Sequence, residues 1–284
     1  MNNIFTIQRF GLVLSKDIQE NLKRYLLQFF AMFGMMFIIF TWVSLSLYPK
    51  IRDRAYFEVA DLDNRILTIA CFMFFGFGIL MASTLMEPMR NKTGRISFLS
   101  NPASNFEKFF SRWFIVTIGY IIAFFVSFWM ADIIRVMICS IKYSEVGVRL
   151  VDFGLLIGKD GISHSNVIFN DIYVFNMGIG LYLFIQSLFV LGATFWEKLS
   201  FIKTFVAVVI ISLLFFLLFR GTIYLFYSDF SSFYSVIDSL GLYDLSPEPK
   251  DIANMICSGF VVLFILNSVL AFFRFKESEI IKRL

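Results

Sequence analysis

The sequence predicts an all-α polytopic membrane protein: six transmembrane helices preceded by an N-terminal amphipathic interfacial helix, in one transmembrane domain over residues 1–284. Three observations predict it. Hydrophobic residues make up 58% of the chain and charged residues only 16%, against roughly 25% charged in an average soluble domain. Phenylalanine alone contributes 39 of 284 residues, more apolar surface than a soluble fold could hide. Six apolar runs also alternate with polar segments, each long enough at about 1.5 Å per residue to cross a hydrocarbon core of about 30 Å.

The elements follow in order. In Ile4–Arg24, apolar Ile4, Ile7, Phe10, Gly11, Leu14, Ile18 and Leu22 recur at spacings of three and four, with Arg9, Lys16, Asp17, Lys23 and Arg24 between them. That spacing makes one stripe on a helix, expected to lie in the membrane interface with its bases toward the headgroups. The alternative is that these residues form the first turns of the first span. No small-residue cleavage site follows the first apolar run, so this segment is expected to stay on the chain. The spans are expected at about 25–48, 66–86, 113–134, 172–195, 204–227 and 252–273. Between them, Arg52–Arg65 reads as a solvated loop and Arg135–Asp171 as a polar region too weakly apolar to cross, with turns at Asp152-Phe153-Gly154 and Gly158–Gly161. The outer loop 228–250 is polar and carries Asp229, Asp238, Asp244 and Glu248.

The stretch between the second and third spans, 87–112, differs from the rest. It carries Arg90, Lys92, Arg95, Lys108 and Arg112. Its second half has two helix-start signals: Pro102, which could open a helix, and Ser104 with Glu107, which have the spacing of a capping box. Either predicts a charged amphipathic helix leading into the third span.

Orientation follows from the bases. Fifteen Lys and Arg fall in the first, third, fifth and last polar segments, and nine in the alternate ones. By the positive-inside rule both termini and the 87–112 loop are cytoplasmic. The composition and spacing exclude several classes. No basic stripe with interleaved aromatics points to nucleic acid. Cys71, Cys139 and Cys257 are dispersed, and His164 is the sole histidine, so no metal site is expected. No phosphate-cradling glycine loop or nucleophile elbow is present, so no catalytic residue and no nucleotide site of its own is expected. Polar residues within the spans are few. Arg220 lies in the fifth span, either functional or snorkelling to the outer headgroups. Asp132 sits at a matching depth for a pair with it. Gln186 and Asn176 are expected to act as hydrogen-bond glue between helices. Without deep acids there is no ion relay.

The residues around Ile96–Arg112 carry a more specific signal. Pro102, Ala103, Ser104, Glu107, Lys108, Phe109 and Arg112 match a loop pattern, with Asn101 in place of the usual leucine. In this the chain resembles the permease subunits of bacterial type 2 ATP-binding-cassette transporters. The resemblance implies a cytoplasmic coupling helix at Asn101–Arg112 docking on a separate ATPase subunit, with the N-terminal helix as a second contact. It implies location in the bacterial cytoplasmic membrane and pairing with a second permease copy or paralogue. It further implies export driven by ATP and magnesium held on the partner, with no cofactor on this chain, and a gating role for 228–250. The Phe-rich spans suit an amphipathic cargo, and lipid-facing phenylalanine explains them equally well. A non-transporting scaffold or sensor subunit using the same loop is the alternative from another class.

Overall fold

A computed structural model describes residues 5–52, 59–143, 147–157, 168–169, 171–196, 198–227 and 249–281. Among them the architecture is helical, with no strand beyond an isolated bridge between Ile157 and Phe169. The helices are α1 (Ile7–Arg52), α2 (Val59–Ser83), α3 (Lys92–Leu99), α4 (Asn105–Phe114), α5 (Tyr120–Lys142), α6 (Ile172–Phe195), α7 (Ser200–Tyr227) and α8 (Pro249–Ile281). Six helical stretches are long and apolar enough to cross a membrane, and α4 and α5 are joined into one of them by a π-turn at Ile115–Gly119. The chain is therefore a multi-pass membrane protein.

The first correction concerns the N-terminus. The amphipathic segment and the first span are not separate elements: α1 runs unbroken for 46 residues, about 69 Å. It lies parallel to the rod formed by α4 and α5. Asp17 meets Arg112 at one level, and Ser44 meets Arg135 at another. The separations, 27 residues on α1 and 23 on the rod, correspond to about 40 and 35 Å. Two paths so nearly equal keep the helices side by side throughout. Residues 7–24 thus continue beyond the apolar run with α4 beside them.

The aromatic contacts orient the remaining helices. Phe98, Phe106 and Phe109 pack on Phe272 and Phe275 of α8, so the end of α8, the start of α1 and the 87–112 segment share one end of the molecule. We call it the basic end. Helix α6 is the central contact for the second half and approaches its neighbours through glycines. A Cβ on Gly192 would meet Thr204 of α7 at 2.0 Å, and one on Gly180 would meet Cys257 of α8 at 3.3 Å. On α2, a Cβ at Gly78 would meet the Tyr182 ring of α6 at 2.7 Å. These small residues let the helices come close without a soluble-type hydrophobic driving force. From Ile211 to Arg220 every residue of α7 is exposed. An apolar helix in that state requires hydrocarbon or another protein around it.

Other boundaries shift modestly. Helix α5 runs to Lys142, so Arg135 stands inside a helix rather than opening a loop. The Asp152 turn is present, with Asp152 accepting from the Gly154 amide at 2.8 Å. Residues 228–248 of the expected outer loop 228–250, His164 and the Gly158–Gly161 turn lie outside the described residues, and α8 already begins at Pro249.

Candidate functional site

The 87–112 segment folds as a 3₁₀ turn (Glu87–Arg90), then α3, then a tight connection into α4. Of the two start signals, the capping box prevails. Ser104 accepts from the Glu107 amide at 3.2 Å, and Glu107 accepts from the Ser104 amide at 3.0 Å. Pro102 lies outside the helix.

Glu107 is fully buried and also accepts from the Thr6 amide at 2.9 Å and from Arg9 at 3.2 Å. The capping carboxylate is thereby the anchor for the start of α1. Burial pushes the Glu107 carboxyl up, but the amides of Thr6 and Ser104 and the Arg9 guanidinium together hold it below the usual carboxylate range. Hydrogen bonds to the charged form outweigh desolvation here.

A second pair joins the same helices one level further along. Arg112, 5% exposed, donates to Asp17, 7% exposed, and to the Leu85 carbonyl at 3.4 Å, and its guanidinium lies 5.1 Å from the Phe98 ring centre. Asp17 also accepts from Asn21 and Tyr25. Beside this pair is an open-sided cavity of about 470 Å³ between α1, α3 and α4, lined among others by Lys16, Arg24, Glu87, Thr93 and Asn101. Arg24 pairs with Glu87, and Lys16 with Glu20 at 3.8 Å, so the lining charges are balanced.

The residues of the matched pattern therefore divide. Glu107, Lys108, Phe109 and Arg112 are all buried, while Pro102 is exposed and Asn101, Ala103 and Ser104 are partly so. The buried four hold the helix in place. The outward surface of this segment comes from α3, where Lys92, Thr93, Ile96 and Ser97 are exposed. What the arrangement can do is mechanical: a force on α3 reaches α4, through it α5, and through the Arg9–Glu107 and Arg112–Asp17 ion pairs α1.

The intramembrane candidates are placed as follows. Asp132 does not pair with Arg220. It is held by Arg135, one turn further along α5, at 2.6 Å, while Arg220 is exposed on α7. A local i,i+3 partner takes precedence over one two helices away. Gln186 is buried and donates to the Val116 carbonyl in the π-turn at 3.1 Å, an interhelical bond as expected. Asn176 is exposed, and its contact to α8 runs through its carbonyl, which accepts from the Cys257 thiol at 3.4 Å.

Sequence reading missed a network at the end opposite the basic one. Arg135, fully buried, donates to Asp132, to Tyr48 at 3.3 Å, to Ser44 at 3.5 Å and to the Arg149 carbonyl at 2.8 Å. Asp132 also accepts from the Val151 amide at 2.9 Å, and Arg149 donates to Asp63 of α2 at 3.2 Å. Two arginines and two aspartates thus tie α1, α2, α5 and the segment after α5. The signal available was Asp132 and Arg135 at i,i+3 near the end of a span, with Ser44 and Tyr48 at i,i+4 near the end of another. No family model, no curated protein and no solved structure matches the chain.

Proposed function

We propose that this chain is the membrane-spanning permease subunit of an ATP-driven transporter of the type 2 ATP-binding-cassette class, energised by a separate ATPase that docks at its cytoplasmic face. The observation that carries the reading is mechanical continuity. The segment matching the permease pattern is rooted in the third span through the α4–α5 rod and clamped to α1 by Glu107 and Arg112. A permease without its own nucleotide site needs an outside source of bias between two states, and closure of a docked ATPase would supply it. Docking would use the exposed face of α3 with Pro102, because Glu107, Lys108, Phe109 and Arg112 face inward. Pairing with a second permease copy belongs to the same reading, and Ile211–Arg220 of α7, exposed at every position, is a surface that such a copy or lipid would cover.

The experiment is co-purification from mild-detergent extracts of the native chain and of a Lys92→Glu/Ile96→Asp variant. An ATPase that accompanies the native chain, is lost from the folded variant, and hydrolyses ATP faster with the native chain supports the permease. A folded native chain that brings down no ATPase refutes it and leaves the scaffold or sensor subunit as the reading to test.

A further inference from the structure

The π-turn at Ile115–Gly119 holds one residue more than an α-helical turn, and its position is informative. Arg112 below it and Arg135 above it must both face α1. In an unbroken α-helix, 23 residues would turn about 140° past whole turns, placing the two arginines on different faces. Taking up one residue without rotation leaves about 40°. The extra residue is therefore trapped between two anchors to α1, the Arg112–Asp17 ion pair and the hydrogen bonds from Arg135 to Ser44 and Tyr48. It cannot leave the segment without breaking one of them, but it can change position within it.

What fixes its position is a single side chain. The Tyr120 amide, which in an α-helix would donate to the Val116 carbonyl, donates to the Ile115 and Thr117 carbonyls. The Val116 carbonyl accepts from Gln186 of α6 at 3.1 Å. Gln186 thus stands in for a backbone donor. The arrangement leaves the Thr117 hydroxyl and the Gln186 amide oxygen buried without hydrogen-bond partners among the described residues. In a regular helix a threonine hydroxyl at this position would bond the carbonyl four residues back. Buried unpaired groups are costly, so this register is held rather than optimal.

We propose that the π-turn is a two-position joint within the third span, and that Gln186 is the latch that holds it at Ile115–Gly119. When Gln186 releases the Val116 carbonyl, the Tyr120 amide takes it, and the extra residue steps outward along α5. The residues passed over rotate by about 100° while Arg112 and Arg135 keep their partners. Tyr120 is among those that turn. Its hydroxyl now donates to the Phe74 carbonyl of α2 at 2.6 Å, and its ring lies 5.7 Å from that of Phe74, so the step separates the third span from the second at mid-membrane. The joint changes the packing of the spans without dismantling the ends. It does not depend on which partner, if any, docks at α3.

The test is a distance measurement on the purified chain in lipid nanodiscs, with the three cysteines replaced and spin labels at Ile118 and Ile133, both exposed. Ile118 lies within the segment that rotates and Ile133 beyond it. A rotation of about 100° at the side-chain radius moves the first label by roughly 8–9 Å. The native background should give one dominant distance. Gln186→Leu, with Gln186→Met as a second variant of similar volume, should shift the dominant population to a distance that differs by several ångströms. An unchanged distance in a folded variant overturns the latch. Deletion of Ile118, measured by thermal unfolding, tests the trapped residue. It should give a chain that melts close to the native one, because a plain α-helix one residue shorter keeps both arginines in phase. Melting far below the native chain, with loss of the Arg112 or Arg135 contacts, overturns the phase argument.

Discussion

Replacing Asp17 with alanine should be among the most destabilising single changes at the basic end. Asp17 and Arg112 are more than nine-tenths buried, and they join helices 95 residues apart in sequence. With Asp17 gone, the guanidinium keeps, among the described residues, only the Leu85 carbonyl at 3.4 Å and the Phe98 ring. Removing one member of a buried pair costs about 3–5 kcal/mol, mostly because a charge is left unpaired. The double variant Asp17→Ala/Arg112→Met removes that charge and replaces it with an apolar chain of similar reach. It should recover a large part of the loss. The assay is thermal unfolding followed by a thiol-reactive dye, since Cys139 is fully buried and reports opening. At roughly 2–4 °C per kcal/mol, the single variant should melt about 6–20 °C below the native chain. A single variant within a degree of native, or a double variant no better than the single, would refute the claim that this pair clamps α1 to α4.

Three further outcomes follow from the same geometry. Arg135→Lys should lose about as much stability as Arg135→Ala in the same assay, because an ammonium cannot reproduce the planar fork that reaches Asp132, Tyr48 and the Arg149 carbonyl together. Gly192→Ala should cost about 1–3 kcal/mol by driving a methyl into Thr204, and Thr204→Ala should rescue it. Glu107 has a depressed folded-state pKa, so its contribution is full above its ordinary value of 4.5 and is lost as pH falls through the lower folded value. Proteolysis of the start of α1 should therefore accelerate only as the pH falls below 4.5 in the native chain, and Glu107→Gln should show the accelerated rate already at neutral pH.

The spans were legible because lipid imposes a length and a composition that a sequence carries openly. The Ser104–Glu107 capping box was legible because its partners lie three residues apart. The Asp17–Arg112 ion pair was not, since nothing local tells Asp17 that it will meet Arg112, and the same residues read as solvated charges on a surface helix. The burial of Glu107, Lys108 and Arg112 was not legible for the same reason: a charge's direction depends on what the rest of the chain packs beside it. The π-turn did leave a trace. Arg112, Val116, Tyr120, Phe124 and Phe128 stand four apart and are all buried. Sixteen residues of α-helix would drift about 160° across that run, so holding one face inward required an extra residue somewhere within it.

The most direct measurement is ATP hydrolysis by the ATPase that co-purifies with the native chain, compared with the Lys92→Glu/Ile96→Asp variant after both are shown to be folded by their unfolding temperatures. An ATPase bound to and stimulated by the native chain is expected, with neither binding nor stimulation by the α3 variant. An ATPase that binds and is stimulated equally by both would place docking elsewhere, and a folded native chain with no ATPase at all would contradict the permease reading itself.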